Sequence, residues 1–329
     1  MVRIVETEQI CKVTGADSIN RTDRLAIHGT DLGILWDGGD GRVFVLFGDT
    51  FGEGWGGDGG GPDTADWRCN VLGFSTTRDL SRGLVLDGVV TRPDGTAAQV
   101  IPRDDRPDEV TVIPNSGLAV DGKQIVHYMS VRRWGPGQGV WSTNYSGLAV
   151  SEDGGATWDK PWSARWINRA ERDDPFQMCA LARDDTYVYL FGTTNGRHGD
   201  AHLARTGVER LLDASSYEYY DGRGWTRDEF AAAPVLPGPV GELSVAYDVH
   251  LGQWIAMHLD DPGGAILLHT ADRITGPWSP GVVAAPGHRY PSLYGGYLHP
   301  WSLDGPDLYY LMSQWGPYNV FLMRSRLEQ

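Results

Sequence analysis

Lysine is almost absent from this chain. It occurs only at Lys12, Lys123 and Lys160 among 329 residues, so nearly all the positive charge is arginine. Asp plus Glu (43) outnumber Lys plus Arg (28), and the formal charge is −15. That balance excludes a phosphate-backbone partner, which needs clustered cations, and suits a neutral substrate. Cysteine is equally scarce. Cys11, Cys69 and Cys179 are far apart, odd in number and match no metal spacing. They read as buried thiols, with a disulfide between two of them left open. No apolar run approaches the ~18–20 residues that cross a membrane. The stretch MVRIVETEQICKVTG lacks the apolar core of a signal peptide. The motifs H-E-x-x-H, C-x-x-C and G-x-S-x-G are all missing. His198 and His202 lie four apart, but in a Gly-rich loop rather than a helix, so no metal and no cofactor is assigned. An axial structural ion such as calcium stays open.

Helical periodicity is scarce as well. Short alternating or apolar runs dominate, punctuated by 44 glycines and 19 prolines scattered as turn residues. Five stretches share one grammar: a polar start, a strand, a turn, and a second strand rich in aromatic and β-branched residues. They are Thr30 to Thr50, Asn115 to Val131, Phe176 to Thr194, Gly241 to Asp261, and Tyr297 to Trp315. After a gap following the first, they recur about every sixty residues, the scale of one propeller blade. SEDGGATW (Ser151 to Trp158) fits an Asp-box, a structural hairpin in which Asp153 folds back on turn amides. The expectation is an all-β, five-bladed β-propeller in a single domain over residues 1–329. A strand over Arg3 to Val13 should close the ring against the last blade. Gly52 to Asp66 and Ile101 to Asp108 should be loops, and the run RDDRPDE (Arg103 to Glu109) a solvated one.

The chemistry is expected at the first repeat, GTDLGILWDGGDGRVFVLFGDTF (Gly29 to Phe51). Pairing Leu32–Trp36 with Val43–Gly48 through the DGGDGR turn sets Asp31 nearly opposite Asp49. Opposed residues on antiparallel strands have Cα atoms ~4.5–5.5 Å apart. Two carboxyls that close split their pKa values, leaving one protonated near neutrality. One acid and one base are the equipment of glycoside hydrolysis, with separation deciding a retaining or an inverting outcome. The corresponding positions of the other repeats, Asn115, Gln177, Glu242 and His299, are polar where apolar residues would pack, so five polar groups should converge on one funnel. Glu242 reads equally as a salt-bridge partner or a third carboxylate. Trp134, Trp141, Asn144, Arg197, Gln314, Trp315 and Tyr318 follow the second strands and would supply aromatic faces and hydrogen bonds to sugar.

The series GTDLG, FGDTF, NVLGFS, FQM, GELSV, YLHPW and SQWGPYNVFLMR resembles the endo-D-arabinanases, a glycoside hydrolase family formerly known as a domain of unknown function. The similarity spans nearly the whole chain in one order. It implies a five-bladed propeller cleaving α-D-arabinofuranosyl linkages of mycobacterial arabinogalactan and lipoarabinomannan, with paired catalytic aspartates at Asp31 and Asp49. The implied partner is polysaccharide (D-arabinan), with no nucleic acid and no membrane. Action would be extracellular, on cell-wall glycan, reached by a phage particle, a non-classical route or a signal already removed. Two rivals remain at this stage. One is another propeller glycosidase, acting on L-arabinan or on sialosides, although a sialoside carboxylate needs an arginine cluster and the arginines here do not sit at the five blade starts. The other is a non-catalytic glycan-binding propeller such as a phage adhesin, which gains nothing from two repelling carboxylates.

Overall fold

The computed structural model describes residues 2–169 and 174–328. Five antiparallel sheets stand around one axis, each ordered from an inner strand outward. Blade I runs Gly29–Asp37, Val43–Phe51, Val71–Ser75 and Gly88–Val89, with the short strand Trp67–Arg68 added to the second. Blade II comprises Thr111–Val120, Lys123–Trp134, Trp141–Ser151 and Arg165–Ile167. Blade III starts with Met178–Arg183, Tyr187–Thr193 and Ala201–Gly207, and short strands extend its outer side. Blade IV is Leu243–Asp248, Gln253–Asp260, Ala265–Ala271 and Val282–Pro286. Blade V is Leu293–Leu298, Asp307–Gln314 and Asn319–Glu328.

The fourth strand of blade V comes from the other end of the chain. Arg3–Lys12 pairs antiparallel with Asn319–Glu328, from Arg3 opposite Glu328 to Lys12 opposite Phe321. This closes the ring as expected, with Arg3–Lys12 as the outer edge strand of that blade. The cores lie between neighbouring sheets. Trp36 stacks on Phe44 with ring centroids 5.2 Å apart, and its indole nitrogen donates to Gln124 of blade II.

All five inner strands begin at one mouth, here the upper one, and end at the other. The Asp-box belongs to the lower mouth. Ser151 Oγ and the Thr157 amide donate to Asp153 Oδ1 at 2.8 and 2.9 Å, and the buried Trp158 donates to the Gly155 carbonyl. The glycine at position 155 has φ +94, a conformation that spares the hairpin a strained side chain.

Two sequence expectations need correction here. The run from Arg103 to Glu109 is solvated only at Arg103, Asp105 and Pro107; the rest of it is anchored. Asp104 pairs with Lys160 and Arg165 at 2.6 and 2.9 Å, and Glu109 is buried, accepting from the Ser130 and Tyr145 hydroxyls. The fifth repeat also starts earlier than its pattern suggested. Its inner strand is Leu293–Leu298, and the Gly295–Gly296 pair forms a bulge inside the strand rather than a turn before it. The three thiols are free: Cys69 and Cys179 buried, Cys11 partly so.

Candidate active site

Asp31 and Asp49 meet at the upper mouth of blade I. Thr30 pairs with Thr50, but the next paired residues are Leu32 and Phe47, so Asp31 faces both Gly48 and Asp49 across a bulge. Bulges re-aim side chains in this way and often stand beside sites. The backbone is forced locally: Leu32 has φ +63 and Gly33 φ +83, and left-handed geometry at a leucine is costly. Position 48 has to be glycine. A Cβ there would lie 2.3 Å from Asp31 Oδ1, so the absent side chain is the space the carboxyl occupies.

The two carboxyls are held differently. Asp31 Oδ2 accepts from the Tyr294 hydroxyl at 3.0 Å. The buried Tyr318 hydroxyl also approaches the carboxyl, although Oδ1 makes no hydrogen bond of ordinary geometry. Asp49 Oδ1 accepts from Trp67 Nε1 at 2.9 Å and from Thr111 Oγ1 at 2.7 Å. Both residues keep some accessible surface, but protein surrounds them, and that crowding sets their acidity. Burial, then the neighbouring Asp49 charge, pushes Asp31 up to about 8 against the two tyrosine hydrogen bonds. Burial pushes Asp49 up to about 6, opposed by Thr111, Trp67 and the Arg103 charge. At neutral pH the first is mainly protonated and the second mainly ionised. One donor and one acceptor of protons therefore stand side by side.

Opposite the pair, Arg197 fills the hollow. It donates to Glu242 Oε1 at 2.6 and 3.0 Å and to Asp261 Oδ1 at 3.1 Å. Its guanidinium lies 5.3 Å from the Tyr294 ring centroid and 5.8 Å from that of Trp141. Glu242 is thus salt-bridged, while its Oε2 is buried without a hydrogen-bond partner. An arginine does reach the centre, but it is already paired with two carboxylates, so it is not a free cradle for an acidic sugar. Trp141 is buried and meets the half-exposed Trp134 edge to face, centroids 6.0 Å apart. On the other flank the exposed Trp315 meets Tyr318 edge to face at 5.5 Å. Gln314, beside it, donates to the Pro291 carbonyl at 3.0 Å.

The other polar positions do not all converge. Asn115 lies deeper on the axis, lining a small cavity with Glu242 and Tyr297. Gln177 is fully buried between blades II and III, accepting from Thr143 at 2.8 Å and donating to the Trp166 carbonyl. It cannot touch a ligand in the hollow. Asn144 is likewise buried, donating to the Asp108 carbonyl and Ser130. His299 stands at the lower mouth, fully buried beside Trp301, which donates to Asp37 at the far end of the Asp31 strand. Burial holds the His299 imidazole down to about 3. Its expected place in the funnel follows from the misframed fifth repeat. The residue that occupies that position is Tyr294, hidden before the glycine pair, while Thr111 and Trp67 were masked by the adjacent insertions. Among the described residues, no three His, Cys, Asp or Glu side chains gather as a metal site, and no helix is long and apolar enough to cross a membrane.

These features place the chain in a class, the five-bladed propellers with a carboxyl pair at the upper mouth of the first blade. The chain belongs to the DUF4185 family, a domain of unknown function whose profile matches residues 17–324. It is 32% identical over 315 residues to the notoamide biosynthesis cluster protein J of Aspergillus sp. (strain MF297-2), covering 89% of this chain and 81% of that protein. Among solved structures, a family 117 glycoside hydrolase from Zobellia galactanivorans superposes with a TM-score of 0.57 at 12% identity, covering 98% of this chain and 90% of the other. The catalytic domain of the Coprinopsis cinerea GH62 α-L-arabinofuranosidase gives 0.53 at 12% identity, covering 97% and 95%. At such identities the likeness is one of fold.

Proposed function

We propose that this protein is an endo-acting glycoside hydrolase that cleaves α-D-arabinofuranosyl linkages, with Asp31 as general acid and Asp49 as its ionised partner. The observation that carries the reading is the pair itself: two carboxyls side by side, one held protonated by burial and its neighbour, the other steadied by two donors. In the reaction Asp31 gives its proton to the glycosidic oxygen as the C1–O bond breaks. The electron pair of that bond stays on the departing oxygen, and C1 passes through an oxocarbenium-like state. The new bond at C1 comes from water, whose proton passes to Asp49, or from Asp49 directly, with water releasing the sugar in a second step that returns the proton to Asp31. The anomeric form of the first product tells these apart. The aromatic flanks around Trp141 and Trp315 support a sugar substrate, and the pairing of Arg197 with two carboxylates speaks against a sialoside. The resemblance of the chain's motifs to the endo-D-arabinanases supports the linkage.

The test is incubation with purified mycobacterial arabinogalactan. A ladder of oligosaccharides is expected, lost in Asp31→Asn and in Asp49→Asn. Monosaccharide alone would reject endo action. Full activity in both variants would reject the site, and tight glycan binding without new reducing ends would favour the binding-protein reading. The similarity to a biosynthetic-cluster protein supports a second reading, in which the same pair performs acid–base chemistry on a small molecule. Inertness toward every arabinan and xylan offered would favour it.

A further inference from the structure

A second concavity opens at the upper mouth, beside the carboxyl pair rather than over it. It measures about 480 Å³, and Lys12, Asp17, Asp23, His28, Trp55 and Asn319 form much of its wall. Ligand pockets commonly span ~300–1,000 Å³. We propose that this bowl is a distal subsite that holds a neutral furanosyl stretch of the polymer whose cleavage is proposed above. The inference rests on that reading and extends it along the chain of the substrate.

Three observations carry it. First, the bowl is built from the same pieces as the carboxyl pair. His28 leads into the strand that bears Asp31, three residues on, a reach of ~10 Å. Pro317, also in the wall, precedes Tyr318, whose hydroxyl approaches Asp31. Second, the Trp55 indole is a fixed platform. Its ring lies where a Cβ on Gly29 would come within 2.5 Å, and its nitrogen donates to the Gly59 carbonyl at 3.0 Å. Gly59 in turn lies under Trp315, where a Cβ on the glycine would come within 2.9 Å of the indole nitrogen, and its amide donates to the Gly316 carbonyl at 3.1 Å. Trp55, the glycine loop, Trp315 and Tyr318 thus form one continuous surface from the bowl to the pair. Third, the charges of the wall are already matched. Lys12 pairs with Asp17, and Asp23 with Arg21 at 3.2 Å. Asn319 is bound to Thr14 and to the Pro317 carbonyl. A bowl of balanced charges with an indole wall disfavours free anions and cations and fits a polyol, whose hydroxyls hydrogen-bond to paired carboxylates while its C–H faces lie on the aromatic ring. The His28 imidazole is only half buried and is free to donate to it.

The bowl is tested with Ala16→Arg, which fills it from an exposed position, and with His28→Ala. Binding of a linear oligo-D-arabinofuranoside is measured by calorimetry in the Asp31→Asn background, where nothing is cleaved. Roughly tenfold weaker binding in both combined variants is expected, as is a tenfold higher KM on arabinogalactan with kcat within twofold when Asp31 is intact. Unaltered affinity, or no affinity in the Asp31→Asn parent, would overturn the subsite. A wild-type protein that binds the oligosaccharide through the bowl but never cleaves it would leave the subsite standing and remove the hydrolase reading instead.

Discussion

Replacing Asp31 by Asn should stabilise the protein while silencing it, and the stabilisation should grow with pH. In the unfolded chain Asp31 ionises near its ordinary 3.8, whereas in the folded chain it does so near about 8. Unfolding therefore releases a proton at neutral pH. Stability associated with this group is complete below about pH 4 and is lost as pH rises toward about 8. Each pH step in that window costs ~1.36 kcal/mol, which would sum to about 5 kcal/mol at pH 7.5. Asp31 keeps some accessible surface, and screening there reduces the figure to about 2–3 kcal/mol. Asn is neutral at every pH, matches the shape, and its carbonyl oxygen can still accept from Tyr294. Thermal melts of both proteins at pH 4.5 and 7.5 isolate the effect. The variant should melt within about 1 °C of wild type at the lower pH and about 4 °C higher at the upper one, given the unfolding entropy of a chain this long. Its kcat should fall ~10²–10⁴-fold, the usual worth of a general acid. An equal melting difference at both pH values, or a variant less stable at pH 7.5, would refute the claim that burial holds this carboxyl protonated.

Other outcomes follow from the same contacts. Gly48→Ala should lower kcat about 10²-fold with circular dichroism unchanged, because the new methyl must displace the Asp31 carboxyl. Tyr294→Phe removes a hydrogen bond that favours ionised Asp31, so the alkaline limb of the pH–rate profile should move upward; a downward move would contradict the assignment. Arg197→Met leaves Glu242 and Asp261 without a counter-ion in a largely buried hollow and should cost about 3–5 kcal/mol in urea unfolding, part of it recovered by adding Glu242→Gln. His299→Gln, altered at the opposite mouth, should leave kcat/KM on arabinogalactan within twofold of wild type.

Much of the architecture is legible because hairpins announce themselves locally. The apolar run Val43–Phe47 and the D-G turn before it fix register, and register alone places Asp31 beside Asp49. What was not legible came from residues that usually break strands. Pro114 lies inside Thr111–Val120, and Gly295 with Gly296 inside Leu293–Leu298. Reading these as boundaries starts two inner strands four residues late. That error hides Thr111 and Tyr294, which hydrogen-bond the carboxyl pair, and promotes His299, which is nowhere near it. Arg197 and Glu242 were both visible as candidates. Their mutual pairing was not, since a salt bridge across 45 positions leaves no local pattern.

The positions of strain and of satisfaction bear on where the chemistry lies. At the lower mouth Asp153 has every expected turn partner, and Arg78 lies 3.3 Å over the Trp301 ring, whose nitrogen is bound to Asp37. These contacts stabilise, although His299 Nε2 and Asp248 Oδ2 at the same mouth have no partner. The upper mouth adds strain and charge crowding to such idle atoms. Leu32 and Tyr318 adopt left-handed backbone with φ +63 and +43, two carboxyls are crowded together, and Asp31 Oδ1 and Glu242 Oε2 have no partner. Left-handed backbone costs ~1–3 kcal/mol at each such residue, and an unsatisfied buried oxygen costs a comparable amount. A propeller that only needed to close its ring could relieve all four with ordinary substitutions, such as an apolar residue for Asp31. Their concentration around one carboxyl pair, drawn from blades I, IV and V, is what a site for binding and proton transfer requires, and a purely structural rim gives no reason for it.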